Sequence, residues 1–329
     1  MFAAAHLAAC TREELPLVWA ERLLHRYAET RHPDTGLGGY QFSQMAGAWC
    51  TWNDDGPILT GDRAQYQYGE DFPGHLVLEG TLFPCYGSAP AAAPLLAAMA
   101  SGDLLGAAGQ TFSHWATQEL AAWGRVAYRP SDHSFVPMLT DGTSMEGYVC
   151  RKDGYFGPAG RVLTAGRARA EHFWAYAVAY RQTGDPFLWK MARSTAIGSG
   201  SGDIGEAEGA AGGSSFDTDV SAPQALLGFL ELYRRTGHLQ LLLAAQRIGD
   251  NLLRRSFHLG LFLASEAQLY ARFDAIEPLA LLHLAAALEG KPDVVPAYPG
   301  GRGFYASAYG SDKGSTHRYD ESLYARTRS

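Results

Sequence analysis

The chain is 329 residues long, 47% hydrophobic and 19% charged, a balance that allows a large buried core. Its net charge of -7 excludes general nucleic-acid binding, which needs a basic footprint to neutralise phosphates. No apolar stretch approaches the roughly 18 residues that span a bilayer, so neither nucleic acid nor membrane is an expected partner.

The opening "MFAAAHLAAC" ends like a lipoprotein cleavage box but lacks a basic leading region, and its apolar run is short. It reads as a helix, which makes the cytoplasm the expected location and the periplasm the alternative. Residues 12–31 then place Leu15, Val18, Trp19, Leu23 and Tyr27 at helical spacing on one face, predicting an amphipathic helix. This helix closes on Arg31 and His32, Pro33 stops it, and Asp34-Thr35-Gly36 make a tight turn. Positive groups complement a helix C-terminus, which by itself would account for the pair. A rigid turn followed by Tyr40, Gln41 and Gln44 would equally furnish a sugar site, and both readings stand.

Residues 32–90 are rich in Gly, Pro, Asp and aromatics, and long irregular connections of this kind are commonly functional. The segment "GDRAQYQYGEDFPGHLVLEG" gathers Arg63, Tyr66, Tyr68, Glu70, Asp71, His75 and Glu79. It is either a solvated loop whose arginine pairs with its own acids or part of a saccharide cleft. Helical pattern resumes over 91–128, with Phe112, Trp115, Leu120 and Trp123 roughly periodic, and 129–165 return to loop with short strands. There Arg151 and Lys152 precede Tyr155, Phe156 and Arg161. Five cations against Asp153 alone leave residues 151–170 at +4. Such a loop can hold carboxylates while Tyr155 stacks on a sugar face, or it is a surface hairpin; an anionic small molecule or polymer is the partner it fits.

A repeat follows. Tyr180-Arg181-x-Thr183-Gly184 aligns with Tyr233-Arg234-x-Thr236-Gly237 of a second copy 53 residues on. In each copy a helix ends at a glycine suited to the left-handed cap and another starts at once, which predicts repeated helical hairpins. Residues 274–293, ending a helix at Glu289-Gly290, supply a third. Hairpins at this spacing suggest a mainly α protein, an α/α toroid of one domain over 1–329, with a right-handed solenoid as the alternative. The Gly/Ser stretch at 198–215 is expected to be an inter-helix loop. Its GxGxxG at Gly200, Gly202 and Gly205 follows a helix rather than a strand, against a dinucleotide site. His238 and His283 are expected to pack or cap, as is His172 beside Glu171. Cys10, Cys50, Cys85 and Cys150 have no metal-finger spacing and read as reduced core thiols.

The segments "TRHPDTGLGGYQFSQ", "GDRAQYQYG", "TDGTSMEGYVCRKDGYFGPAGRVL", "YRQTGDPFLWKMAR", "YRRTGHLQLLLAAQRIGDNLL" and "RFDAIEPLALLHLAAALEG" together resemble polysaccharide lyase family 2, the pectate lyases. The resemblance implies an (α/α)7 toroid, β-elimination on α-1,4-linked galacturonate, an arginine base and a divalent transition metal, Mn, Co or Ni rather than Ca. It assigns Arg31 as base and His32 as metal ligand, with Arg151 or Lys152 a basic substrate contact. Family members carry further ligands, a His and a Glu, upstream of the Arg-His pair. The chain therefore reads as N-terminally shortened, with His75 and Glu79 as substitute ligands. Tyr40, Arg63, Tyr66, Tyr155 and Arg161 complete the expected substrate contacts. An unsaturated uronyl hydrolase and a non-catalytic binder of acidic oligosaccharide are the alternatives.

Overall fold

The computed structural model describes residues 2–29, 31–39, 43–44, 59–60, 67–68, 70–72, 90–154, 157–208, 218–263, 275–295, 309–310 and 316–317. The fold is mainly α, as the periodicity predicts, and its described strands are two residues each. The chain divides into two compact units, residues 1–91 with 97–169 and residues 92–96 with 170–329.

In the first unit, α1 (Phe2–Thr11) and α2 (Leu15–Glu29) pack together. Most of the predicted apolar stripe of α2 points outward: Leu15, Val18 and Leu23 are exposed, and so is Trp19 at 63%, while Tyr27 is half-buried. Ala20 and Leu24 are buried instead. The helix is apolar on two sides, and periodicity alone cannot choose between a bulky stripe and one of smaller side chains. Arg22 lies 5.6 Å over the Trp19 ring and covers part of it.

Helix α3 (Ala93–Leu105) passes through a 3-10 turn at Gly106–Gly109 into α4 (Gln110–Ala122), which buries Phe112, Ala116, Glu119 and Leu120. A wide π turn, Trp123–Ala127, then releases the chain into β1 (Tyr128–Arg129), which pairs with β2 (Ser134–Phe135), itself paired with β3 (Gly166–Arg167), all antiparallel. Phe135 sits on the rings of Trp123 and Tyr128, with centroids 6.4 and 5.0 Å away. Tyr68, Leu139, Met145, Cys150 and Leu163 form a second apolar cluster, with Phe72 and Tyr148 against it. Cys150 is buried as expected, whereas Cys10 is exposed: it lies near the end of a helix that buries only Ala5.

The second unit contains the repeat. Helices α5 (Ala170–Thr183) and α6 (Pro186–Gly198) form one hairpin, and α7 (Pro223–Thr236) and α8 (Leu239–Ser256) form the next. Their corners match bond for bond. Gly184 and Gly237 have φ of 69° and 71°, and their N–H groups donate to the carbonyls of Tyr180 and Tyr233 at 2.7 and 2.8 Å. Thr183 and Thr236 each donate to the carbonyl four residues back and accept from the N–H two residues on. Helix α9 (Glu277–Leu288) ends at Gly290, φ 70°, and packs on α7 and α8.

Every residue of α5 from His172 to Tyr180 is buried, so this helix is enclosed on all sides. The 198–215 loop is packed over part of its described length, although Glu206, Ala207 and Glu208 are exposed. Ser201 and Ile204 are buried, Arg193 pairs with Asp203, and Trp189 Nε1 donates to the Gly205 carbonyl at 3.0 Å. Asn251, buried in α8, donates to the carbonyls of Thr218 and Val220 and so fixes the entry to α7.

Candidate active site

The Arg31-His32 turn lies in the first unit. Pro33 and Asp34 reverse the chain, and Gly36 takes φ 70°, a left-handed conformation that glycine adopts without a Cβ penalty. The turn then closes on itself: His32 N–H donates to the Leu37 carbonyl at 3.0 Å and Gly36 N–H to the His32 carbonyl at 2.8 Å. Thr35 Oγ1 accepts from Leu37 N–H and donates to the Thr140 carbonyl, tying the turn to residues 139–145. Leu37 beneath it is fully buried.

Arg31 reaches from this turn onto α4. Its Nη2 donates to the Trp115 carbonyl at 2.8 Å, its Nη1 to Gln118 Oε1 at 3.2 Å, and its guanidinium lies 5.4 Å from the Trp115 ring centre. The Nε stands 2.8 Å from Glu119 Oε2, off the hydrogen-bond line, so that contact is ionic. Glu119 is buried at 5% exposure, and its Oε1 accepts from Gly38 N–H and Trp123 Nε1, each at 3.1 Å. Burial lowers the Arg31 pKa while the charge of Glu119 raises it. Burial likewise pushes the Glu119 carboxyl up, against the pull of Arg31 and its hydrogen bonds. The pair is costly to desolvate, and losing either member would leave a buried uncompensated charge.

His32 Nδ1 accepts from Asp34 N–H at 3.3 Å. A neutral imidazole accepting at Nδ1 carries its proton on Nε2, so neither nitrogen offers a lone pair to a cation in this arrangement. Among the described residues no three His, Cys, Asp or Glu side chains come together as a metal site. The described residues therefore do not form a fitted metal centre by themselves, and His75 and Glu79 lie outside them.

The basic loop is brought into the same unit. Leu139 belongs to the Tyr68 and Cys150 cluster, and its neighbour Thr140 accepts from Thr35, so residues 139–140 join the loop to the Arg-His turn. Arg151, 68% exposed, pairs with Asp71 at 2.8 Å, and Tyr148 donates to the other Asp71 oxygen at 2.6 Å. Lys152 Nζ lies 3.0 Å from Glu70 Oε1. Buried Gln67 donates to the carbonyls of Lys152 and Gly157, pinning the Gly154–Gly157 pairing between them. Gly157 has φ 141°, a conformation that favours glycine, and a Cβ there would fall 2.3 Å from Arg161 Cδ; one on Gly154 would fall 2.4 Å from Gln67 Oε1 and force that side chain to shift.

Of the predicted site residues, the structure joins Arg31, His32, Arg151, Lys152 and Arg161 in one unit. Tyr40, Arg63, Tyr66, His75, Glu79 and Tyr155 lie outside the described residues. Sequence reasoning missed Glu119, Gln67 and Gly38. Glu119 had a signal: it is the lone carboxylate on the helical face of Phe112, Ala116 and Trp123, where charge is unexpected unless partnered.

Residues 1–308 match the family described as periplasmic pectate lyase, and the chain belongs to that family. A pectate disaccharide-lyase of Dickeya dadantii (strain 3937) is 28% identical over 304 residues, 90% of this chain and 52% of the relative. The chain thus spans about half the length of that relative. The family's description as periplasmic overturns the expectation of a cytoplasmic protein. That expectation rested on an apolar opening segment that folds as α1, and helix formation carries no information about compartment. No described helix is long and apolar enough to cross a membrane.

Proposed function

We propose that this chain is a pectate lyase that cleaves α-1,4-linked galacturonate by β-elimination. Family membership across residues 1–308 carries the reading, and the cationic loop in the same unit as the Arg-His turn supports it. In the reaction a base takes the C5 proton, the C4–O4 bond breaks as the C4–C5 double bond forms, and the departing oxygen gains a proton. The C5 proton becomes removable only when charge on the neighbouring carboxylate is neutralised and the developing enolate stabilised.

Arg151, Lys152 and Arg161 are assigned to that carboxylate. Lys152 and Glu70 make an exposed pair of the kind worth about 0–1 kcal/mol, and Arg151 meets the half-buried Asp71 from an exposed position while Tyr148 keeps a hydrogen bond to that carboxylate, so an incoming uronate can draw both cations away. Arg31 is assigned as base. A guanidine accepts a proton only when neutral, and here burial works toward that form while Glu119 works against it. Tyr40, Arg63, Tyr66 and Tyr155 keep the substrate contacts expected of the aromatic and basic loops that carry them. The family resemblance implies a divalent metal, which would neutralise carboxylate charge; His32 joins such a site, with His75 and Glu79, only by releasing Asp34 N–H. No step above depends on it.

The test is polygalacturonate incubated with the chain and Mn²⁺, Co²⁺, Ni²⁺ or Ca²⁺ in turn, followed at the ultraviolet band of unsaturated uronides. Growth of the band supports the reading, and the relative's name makes an unsaturated disaccharide the product to seek. No growth with any metal in a folded sample ends it, and consumption of a pre-formed band would point to the uronyl hydrolase instead.

A further inference from the structure

Glu119 is not assigned to touch the substrate in the chemistry above, yet it holds both ends of the turn that does. We infer that Glu119 is the positioning residue of the Arg31-His32 turn, an inference that rests on the lyase reading of Arg31. Its two oxygens divide the work. Oε2 faces Arg31 Nε at the start of the turn, and Oε1 accepts from Gly38 N–H at its end, while Trp123 Nε1 braces the same oxygen from the next turn of the chain. Between these two anchors the turn is closed by its own hydrogen bonds and by Thr35 on Thr140.

Burying a carboxylate is unfavourable, and apolar packing of similar volume usually stabilises as well or better. Cohesion alone therefore gives no reason for an acid on the buried face of α4. Orientation does. With Nε, Nη1 and Nη2 each facing a separate acceptor and the guanidinium over Trp115, Arg31 is left one orientation. A group that must reach one proton gains most from such restriction, because small misplacements cost about 10²-fold in rate. Gly38 fits the same role: a Cβ there would lie 3.0 Å from Oε1, so the backbone approaches the carboxylate as closely as it can.

Glu119→Gln tests this, because it keeps acceptors for Gly38 and Trp123 and removes the charge facing Arg31. The expected result is a folded chain whose kcat on polygalacturonate falls at least about 10-fold while KM stays within about threefold. In ¹⁵N spectra the separate Nη1 and Nη2 resonances expected of a clamped Arg31 should coalesce in the variant. Unchanged kcat, KM and Arg31 resonances would overturn the inference. If the wild type proves inactive with every metal, the lyase reading fails separately, and the resonances still decide whether Glu119 clamps Arg31. Should Glu119→Gln not fold, Gly38→Ala, which presses on Oε1 and keeps the charge, must lower kcat in the same way or the inference falls.

Discussion

Gly184, at the corner of the first hairpin, lies directly against Arg235 of the second: a Cβ on Gly184 would stand 2.3 Å from Arg235 Nη2. Arg235 in turn lies 5.6 Å over the Tyr180 ring and donates to the Arg181 carbonyl. The same corner in the second hairpin, Gly237, has open space around it. Gly184→Ala and Gly237→Ala should each cost about 1 kcal/mol for left-handed backbone. Gly184→Ala should lose more, because it also displaces the guanidinium. Chemical denaturation of the two variants measures the difference, and equal losses would show that Arg235 moves aside freely.

Gly228 on α7 tests packing between hairpins. A Cβ there would fall 2.8 Å from Phe173 Cε1, and Phe173 is fully buried in the enclosed helix α5. Alanine in a helix is worth about 1 kcal/mol over glycine, but overpacking a tight core costs about 1–3 kcal/mol. Gly228→Ala should therefore lower the melting temperature; a rise would mean that the aromatic ring has room to shift.

Two ion pairs of the first unit should behave oppositely. Arg31→Ala leaves the Glu119 carboxylate buried without its cation, a loss of about 3–5 kcal/mol by analogy with broken buried pairs. Arg151→Ala removes an exposed partner of Asp71 and should change stability by under about 1 kcal/mol while raising KM on polygalacturonate. A calorimetric melt and a saturation curve on both variants separate the roles, and an unchanged KM in Arg151→Ala would remove that residue from the substrate site.

Arg129 makes a forked contact with Asp132 and a second one with Glu146 on the surface. The Arg129 hydrogen bonds, with that of Ser134, hold the Asp132 carboxyl down at about 2. A carboxylate depressed in the folded state stabilises above its unfolded pKa, and that contribution is lost as pH falls toward the folded value. Stability should decline between about pH 4 and 2 partly through this group, and Asp132→Asn should flatten that part of the acid limb. An acid limb identical in the two proteins would refute the assignment.

The hairpins were legible in the sequence because everything that makes them is local. A cap glycine, a threonine bonding four residues back and a basic last turn act within one or two helical turns, so Gly184, Gly237 and Gly290 could be read from spacing alone. The Arg31-His32 turn was legible for the same reason, through Pro33 and Gly36. Which apolar side of α2 faces inward was not, because both sides qualify and only the neighbours choose. Nor were the partners of Glu119, whose carboxylate stands out on an apolar helical face but meets Gly38 across 81 positions of chain. Local backbone preference is written residue by residue, whereas a buried charge acquires its partner only when two distant segments are folded together. The sequence by itself determined the helices, their corners and the rigid turn; tertiary structure alone decided what holds that turn in place.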